Sequence, residues 1–127
     1  MDLVRRSLDA WNRRDLSAWS ASFHPAGELD WSRARGPFKG VYTGSREREA
    51  FWEIFWSTFE DVHIETHGFT EVGSEIVVPN TAHIRGREGI EVVSRTGFVF
   101  TVENGQITCL RMHQGRDEAF ESVGLRE

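Results

Sequence analysis

Cysteine is almost absent from this chain of 127 residues. Cys109 is the only one, which excludes an intramolecular disulfide and any cysteine-based zinc site. Lying between Thr108 and Leu110 in a β-rich run, it reads as a small apolar core residue. No apolar run approaches the roughly 20 residues that a membrane span requires, so no membrane partner is expected. The Asp- and Arg-rich N-terminus lacks the apolar stretch of a signal peptide. These two absences lead to the expectation of a soluble, cytoplasmic protein. Basic residues are outnumbered, with 15 Lys and Arg against 20 Asp and Glu and a net charge of −5. No basic patch appears, so nucleic acid is not an expected partner. There are no internal repeats and no low-complexity segments. Nor is there a nucleophilic Cys or Ser motif, a metal-ligating cluster or a Gly-rich phosphate loop, and neither metal nor cofactor is expected.

What the chain has is aromatic side chains, five Trp and nine Phe among them, in a length that buries roughly two-thirds of its unfolded surface around one core. Leu3, Val4, Leu8 and Trp11 recur at helical spacing and predict a first helix over about residues 2–13. Asp15 is a good N-cap for a second helix whose apolar stripe is Leu16, Trp19 and Phe23, with Pro25 ending it at His24. Glu28-Leu29-Asp30-Trp31 alternates as a short half-buried strand does, and residues 32–44 read as a breaker-rich loop. Ser45 is the expected cap of a third helix carrying Phe51, Trp52, Ile54, Phe55, Trp56 and Phe59. That stripe is too wide for an ordinary surface helix, so the whole helix is expected to be sheltered.

From Asp61 onward the pattern turns to β. Val62 to Thr66 alternates, and Ile76-Val77-Val78 opens a long strand in which Pro79 implies an edge position, a bulge or an early break. Two further β-rich runs, 89–102 and 107–112, meet at Asn104-Gly105, a strong local hairpin signal. A short helix follows from Arg116. Helices gathered early and an antiparallel sheet late indicate an α+β domain, with helices packed on one face of a curved sheet and a cavity enclosed between them.

Several stretches carry a resemblance over nearly the whole chain. They are Ala10-Trp11-Asn12-Arg13-Arg14-Asp15-Leu16, the Glu28 to Trp31 strand, Gly40-Val41-Tyr42-Thr43-Gly44 leading into Phe51-Trp52, the run Arg85 to Glu91, Asn104-Gly105-Gln106-Ile107, and the ending Arg116 to Leu125. The chain resembles the SnoaL-like branch of the nuclear transport factor two-like superfamily, which includes polyketide cyclases and ketosteroid isomerases. This implies one domain over residues 1–127, with a cone-shaped curved antiparallel sheet wrapped around three helices of the N-terminal half and a short C-terminal helix. It does not fix function, because this fold hosts enzymes and inert binding domains alike. The isomerase roles carried over by resemblance place the hydrogen-bonding Tyr at Ser7, the general base at Trp31 and the protonated Asp at about Phe98. None of these three can perform the role, unless Asp30 is shifted inward by one position. The acidic base of the cyclases, and the Asp of limonene epoxide hydrolases, falls at about Met112, which cannot activate water. The resemblance also implies a two-fold dimer through the outer sheet face, bringing Glu91, Arg95, Arg111 and His113 against a second copy.

Side-chain parity places Thr96, Phe98, Phe100 and Val102 on one face, with Leu110, Met112 and Gln114 beside them. With Trp11, Trp31 and Phe55 they would line an aromatic cavity suited to an apolar, flat ligand. The alternative is that these residues simply fill the core. Strict alternation points Asp30 and His113 away from that face, although a bulge at Asp30 or a bend at Gly115 would bring them in. Tyr42 either caps the pocket or bonds backbone. His63 and His67 share a face and His83 stands apart, a poor metal site. Two functional readings follow. One is a hydrophobic-ligand-binding domain acting as a cofactor-independent cyclase or isomerase, with Asp30 or His113 as base and Tyr42 as oxyanion donor. The other is a non-catalytic carrier or dimerisation module.

Overall fold

The structure, a computed structural model, describes residues 2–125. The outermost ends of the domain expected over 1–127, residue 1 and residues 126–127, lie outside the described residues. The element order is α1 (Asp2–Asn12), α2 (Leu16–Ala21), β1 (Phe23–Trp31), β2 (Gly40–Thr43), α3 (Gly44–Thr58), β3 (Phe59–Thr66), β4 (Thr70–Val72), β5 (Glu75–Gly86), β6 (Glu91–Glu103), β7 (Gln106–His113) and α4 (Arg116–Ser122). The fold is α+β, as expected. Its strands form one curved, unclosed sheet in the order β2-β1-β7-β6-β5-β3, with β4 also paired to β5. Among the described residues no helix is long and apolar enough to cross a membrane.

The sheet is mixed rather than wholly antiparallel. β1 runs parallel to β7, because α3 and five further strands intervene before the chain returns beside it. The breaker-rich stretch after Trp31 contains β2, which pairs antiparallel with β1 from Trp31↔Gly40 to Glu28↔Thr43. α2 stops at Ala21, and His24-Pro25 belong to β1. The β1–β7 register is irregular between Phe23 and Glu28, so Pro25 sits in a distorted part of the strand where a missing N–H is tolerated.

Local chemistry explains the helices. Asp15 accepts a hydrogen bond from the Ala18 N–H at 3.1 Å, as an N-cap should. α3 begins two residues earlier than its sequence implies. Thr43 takes the cap position and Ser45 does not, while the Glu47 carboxylate reaches back to the Thr43 N–H at 2.8 Å. The buried positions of α3 are Arg48, Phe51, Trp52, Phe55 and Trp56, an ordinary 3–4 stripe. The expectation that the whole helix is sheltered fails at Ile54, which is 58% exposed. Trp11, Trp19, Trp52, Trp56 and Phe55 interlock through ring centroids 5.0–5.9 Å apart and join α1, α2 and α3. Asn12 fastens this layer to β3 at the sheet edge. Its amide nitrogen donates to the Ile64 carbonyl at 3.0 Å and its oxygen accepts from the Ile64 N–H at 2.8 Å.

The two sheet faces are covered differently. α1, α2 and α3 pack on the inner face, where Leu29, Val78, Phe98, Phe100, Leu110 and Met112 join the main core. On the outer face α4 lays Ala119 and Phe120 over Val77 and Val99. Gly97 permits that approach, since a Cβ there would stand 2.6 Å from the Ala119 Cβ and 2.8 Å from the Gly115 carbonyl oxygen. The Asn104-Gly105 turn joins β6 to β7 with both residues at positive φ, 52° and 76°. Pro79 is not on an edge strand. Its carbonyl accepts from His67 N–H at 2.8 Å where the neighbour of β5 changes from β4 to β3, so the donor it lacks falls at a gap in the ladder.

Candidate functional site

Between the three inner helices and the sheet lies a cavity of about 290 Å³. All eight residues singled out by parity and spacing as ligand contacts line it: Trp11, Trp31, Phe55, Phe98, Phe100, Leu110, Met112 and Gln114. Pairing explains the grouping. Phe98 faces Met112 and Phe100 faces Leu110 across β6 and β7, so one aromatic and one aliphatic row stand side by side. Val102 does not join the lining, because the β6–β7 register shifts between Thr101 and Val102.

The lining also contains residues that the sequence pattern missed. Leu8 and Trp19 come from the first two helices, and Ala82, Ile84 and Ser94 from β5 and β6. Ala34, Arg35 and Phe38 come from the loop after β1. The strand residues were recoverable by extending the parity argument, whereas the loop has no periodicity to read. Polar groups are few. Thr96 donates its hydroxyl to the Asn80 side-chain oxygen, and the Asn80 amide donates to the Val78 carbonyl at 3.0 Å. Gln114 donates to the Arg33 carbonyl at 2.7 Å. Ser22 donates its hydroxyl to the Trp19 carbonyl at 2.6 Å and lies 3.1 Å from the Ser7 hydroxyl. Among the described residues Arg35 is the one ionisable side chain of the lining.

The three residues expected to carry acid–base chemistry are not brought to the cavity. Asp30 points to the outer face, where the Ser32 N–H and hydroxyl donate to it at 3.0 and 2.6 Å and Arg33 lies 3.4 Å away. Burial raises its pKa, but these hydrogen bonds and the Arg33 charge outweigh it and hold the carboxyl below its ordinary value, making it a poorer base. No bulge occurs at Asp30, since the strand's irregularity lies nearer its start. His113 is also on the outer face, 2% exposed and beneath α4, with Nδ1 3.2 Å from the Glu118 carboxylate. Burial lowers its pKa despite Glu118, and Arg33 and Arg111 act in the same direction as burial. Its Nε2 is buried without a partner. Tyr42 packs on Phe51, and its hydroxyl donates to the Phe38 carbonyl at 2.8 Å, the backbone-bonding alternative. Burial raises the Tyr42 pKa, so the phenol stays protonated.

Two further expectations change in the folded chain. His83 does not stand apart: it faces His63 directly across β3 and β5, and its Nε2 lies 2.8 Å from Glu65. Even so, among the described residues no group of three or more His, Cys, Asp or Glu side chains is placed to hold a metal ion. On the outer face, Arg111 is occupied by Glu75 at 2.9 Å and by the Ser122 hydroxyl of α4 at 3.3 Å. Arg111 and His113 therefore do not lie on the free part of that face, while Glu91 and Arg95 do. Burial raises the Cys109 thiol to about 11, which keeps it neutral and unreactive.

Comparison with known proteins agrees with this architecture. The profile of the SnoaL-like domain matches residues 4–110. No curated protein matches the chain. Among solved structures, an NTF2-like protein of unknown function from Burkholderia pseudomallei is 24% identical, with a TM-score of 0.81 over 98% of this chain and 97% of that one. TerC, co-crystallised with polyporic acid, is 17% identical, with a TM-score of 0.81 over 96% of this chain and 95% of its own. A protein of ketosteroid isomerase-like fold from Catenulispora acidiphila, in complex with trimethylamine, is 13% identical, with a TM-score of 0.78 over 97% and 92%.

Proposed function

The chain belongs to the SnoaL-like domain family, and we propose that it acts as a single domain whose cavity binds and carries a small, largely apolar molecule without itself performing acid–base catalysis. The observation that carries this reading is the lining. It is aromatic and aliphatic, encloses about 290 Å³, and among the described residues offers no carboxylate, imidazole or phenol. That volume is at the lower end of the roughly 300–1,000 Å³ typical of ligand pockets, so the ligand is compact. A cyclase or isomerase of this fold needs a proton-transfer group within hydrogen-bond reach of its substrate. Asp30, His113 and Tyr42 are directed elsewhere. TerC, with its polyporic acid, supports only the use of this fold to hold a small organic molecule.

Ala82 and Ser94 face each other across β5 and β6, and both line the cavity. The fluorescent probe N-phenyl-1-naphthylamine is expected to bind the wild type. Ala82→Phe and Ser94→Phe, each filling the cavity from a different strand, are expected to reduce that binding by at least about tenfold with an unchanged circular dichroism spectrum. A probe that stays dark with the wild type, or that binds both folded variants equally well, overturns the reading.

The same proposal includes a second copy of the chain on the uncovered outer sheet face. Val93, 64% exposed, stands there between Glu91 and Arg95, and a two-fold contact would bring each acidic residue toward a basic one.

A further inference from the structure

Among the described residues Arg35 is the only charged side chain on the cavity wall, and it is also solvent-exposed, so it stands where the cavity meets water. No carboxylate among the described residues lines the cavity to neutralise it. Among the described residues Arg35 has no ion-pair or hydrogen-bond partner, in contrast to its neighbour Arg33, which lies 3.4 Å from Asp30.

The loop that presents Arg35 is fixed on both sides. Before it, Gln114 donates to the Arg33 carbonyl at 2.7 Å and the Ala34 N–H donates to the Trp31 carbonyl at 3.0 Å. After it, Tyr42 donates to the Phe38 carbonyl at 2.8 Å, and the Phe38 ring packs on Phe51, Phe55 and Phe59. Ala34 is buried, so the loop is pinned to the core directly beside the arginine. The backbone at Arg35 is therefore held in place before any ligand arrives, which spares a bound ligand the ordering of that segment. An unpaired guanidinium with five donors, beside an apolar wall, matches a planar anion better than any neutral group.

We propose that the cavity ligand is an anion, a compact flat apolar body carrying one carboxylate or enolate that Arg35 holds at the entrance. This inference rests on the cavity-binding reading above and names the class of molecule that the cavity takes. The Trp11, Trp31 and Phe55 rings receive the apolar body, and the charged group stays at the solvent side, where it keeps part of its hydration.

The test compares 2-naphthoate with 2-acetylnaphthalene by equilibrium dialysis at pH 7, where the carboxylic acid is ionised. The two share ring and shape, and a methyl group in one replaces a carboxylate oxygen in the other. The wild type is expected to prefer 2-naphthoate by about tenfold, the usual yield of one charge-assisted hydrogen bond. Arg35→Gln is expected to erase that preference by weakening 2-naphthoate binding. Equal binding of the two by the wild type, or a preference that survives Arg35→Gln, overturns the anionic ligand while the cavity reading stands. Binding of neither compound removes the cavity reading and this inference with it.

Discussion

At the scale of single residues, the burial of His113 beneath α4 makes stability depend on pH. Burial under α4 lowers its pKa below the ordinary histidine value of 6.5. The unfolded chain therefore takes up a proton at a higher pH than the folded protein does. Stability from this residue is complete above the unfolded value, is lost as pH falls below it, and levels off once the folded-state value is passed. Urea unfolding at pH 7.5 and 5.5 is expected to show a lower midpoint for the wild type at pH 5.5, and a smaller difference for His113→Gln. An equal difference in both proteins would remove His113 as the cause. Alternation in the sequence already pointed His113 and Asp30 outward, and only a bulge or a bend could have reversed them. The irregularity of β1 falls between Phe23 and Glu28 instead, so alternation holds at Asp30. Arg35 was not legible in the same way. A lone arginine among Gly36, Pro37 and Gly40 has no periodicity, and its place on the cavity wall depends on contacts from Gln114 and Tyr42, distant in sequence.

At the scale of elements, α4 crosses the outer face most closely at Gly97. The 2.6 Å that would separate a Cβ on Gly97 from the Ala119 Cβ is below any real carbon–carbon contact. Because the Gly115 carbonyl blocks the other side, α4 must lift as a unit rather than rotate one side chain away. Gly97→Ala is expected to destabilise the fold by about 1–3 kcal/mol, as overpacking in a well-packed region does. It should also re-expose His113, returning its titration toward the ordinary value in an NMR pH series; an unshifted His113 would show that α4 has not moved. The helices and the long strands were readable because local signals agreed with tertiary needs: the Asp15 cap, the 3–4 stripe of α3 and the Asn104-Gly105 turn. β2 and the parallel β1–β7 pair were not. β2 is only Gly40–Thr43, and what makes it a strand is its pairing with β1. Strand direction likewise depends on which segments meet, and composition carries no record of that.

At the scale of the whole molecule, the covering of the sheet decides which surfaces remain for other molecules. The inner face is taken by three helices and the cavity, and α4 takes the outer face over Val77 and Val99. What is left open on the outer face is the part of β3, β5 and β6 that carries His63, Glu65, His83, Glu91, Val93 and Arg95. Exposed valine flanked by opposite charges suits a self-complementary contact, with Val93 supplying apolar area and the charges setting register. Arg111 and His113 contribute nothing across such a contact, since α4 of the same chain already occupies them. Substitution at Arg95 is therefore the informative change. Arg95→Glu would place like charges near Glu91 of the second copy while leaving the fold intact, because Arg95 is exposed and has no partner among the described residues. The wild type is expected to sediment as a dimer at micromolar concentration, and Arg95→Glu to weaken association by about tenfold or more. A positive-charge-preserving Arg95→Lys should retain most of the dimer. Sedimentation of the wild type as a monomer would show that this face is bare in solution, and the cavity would then be served by one chain alone.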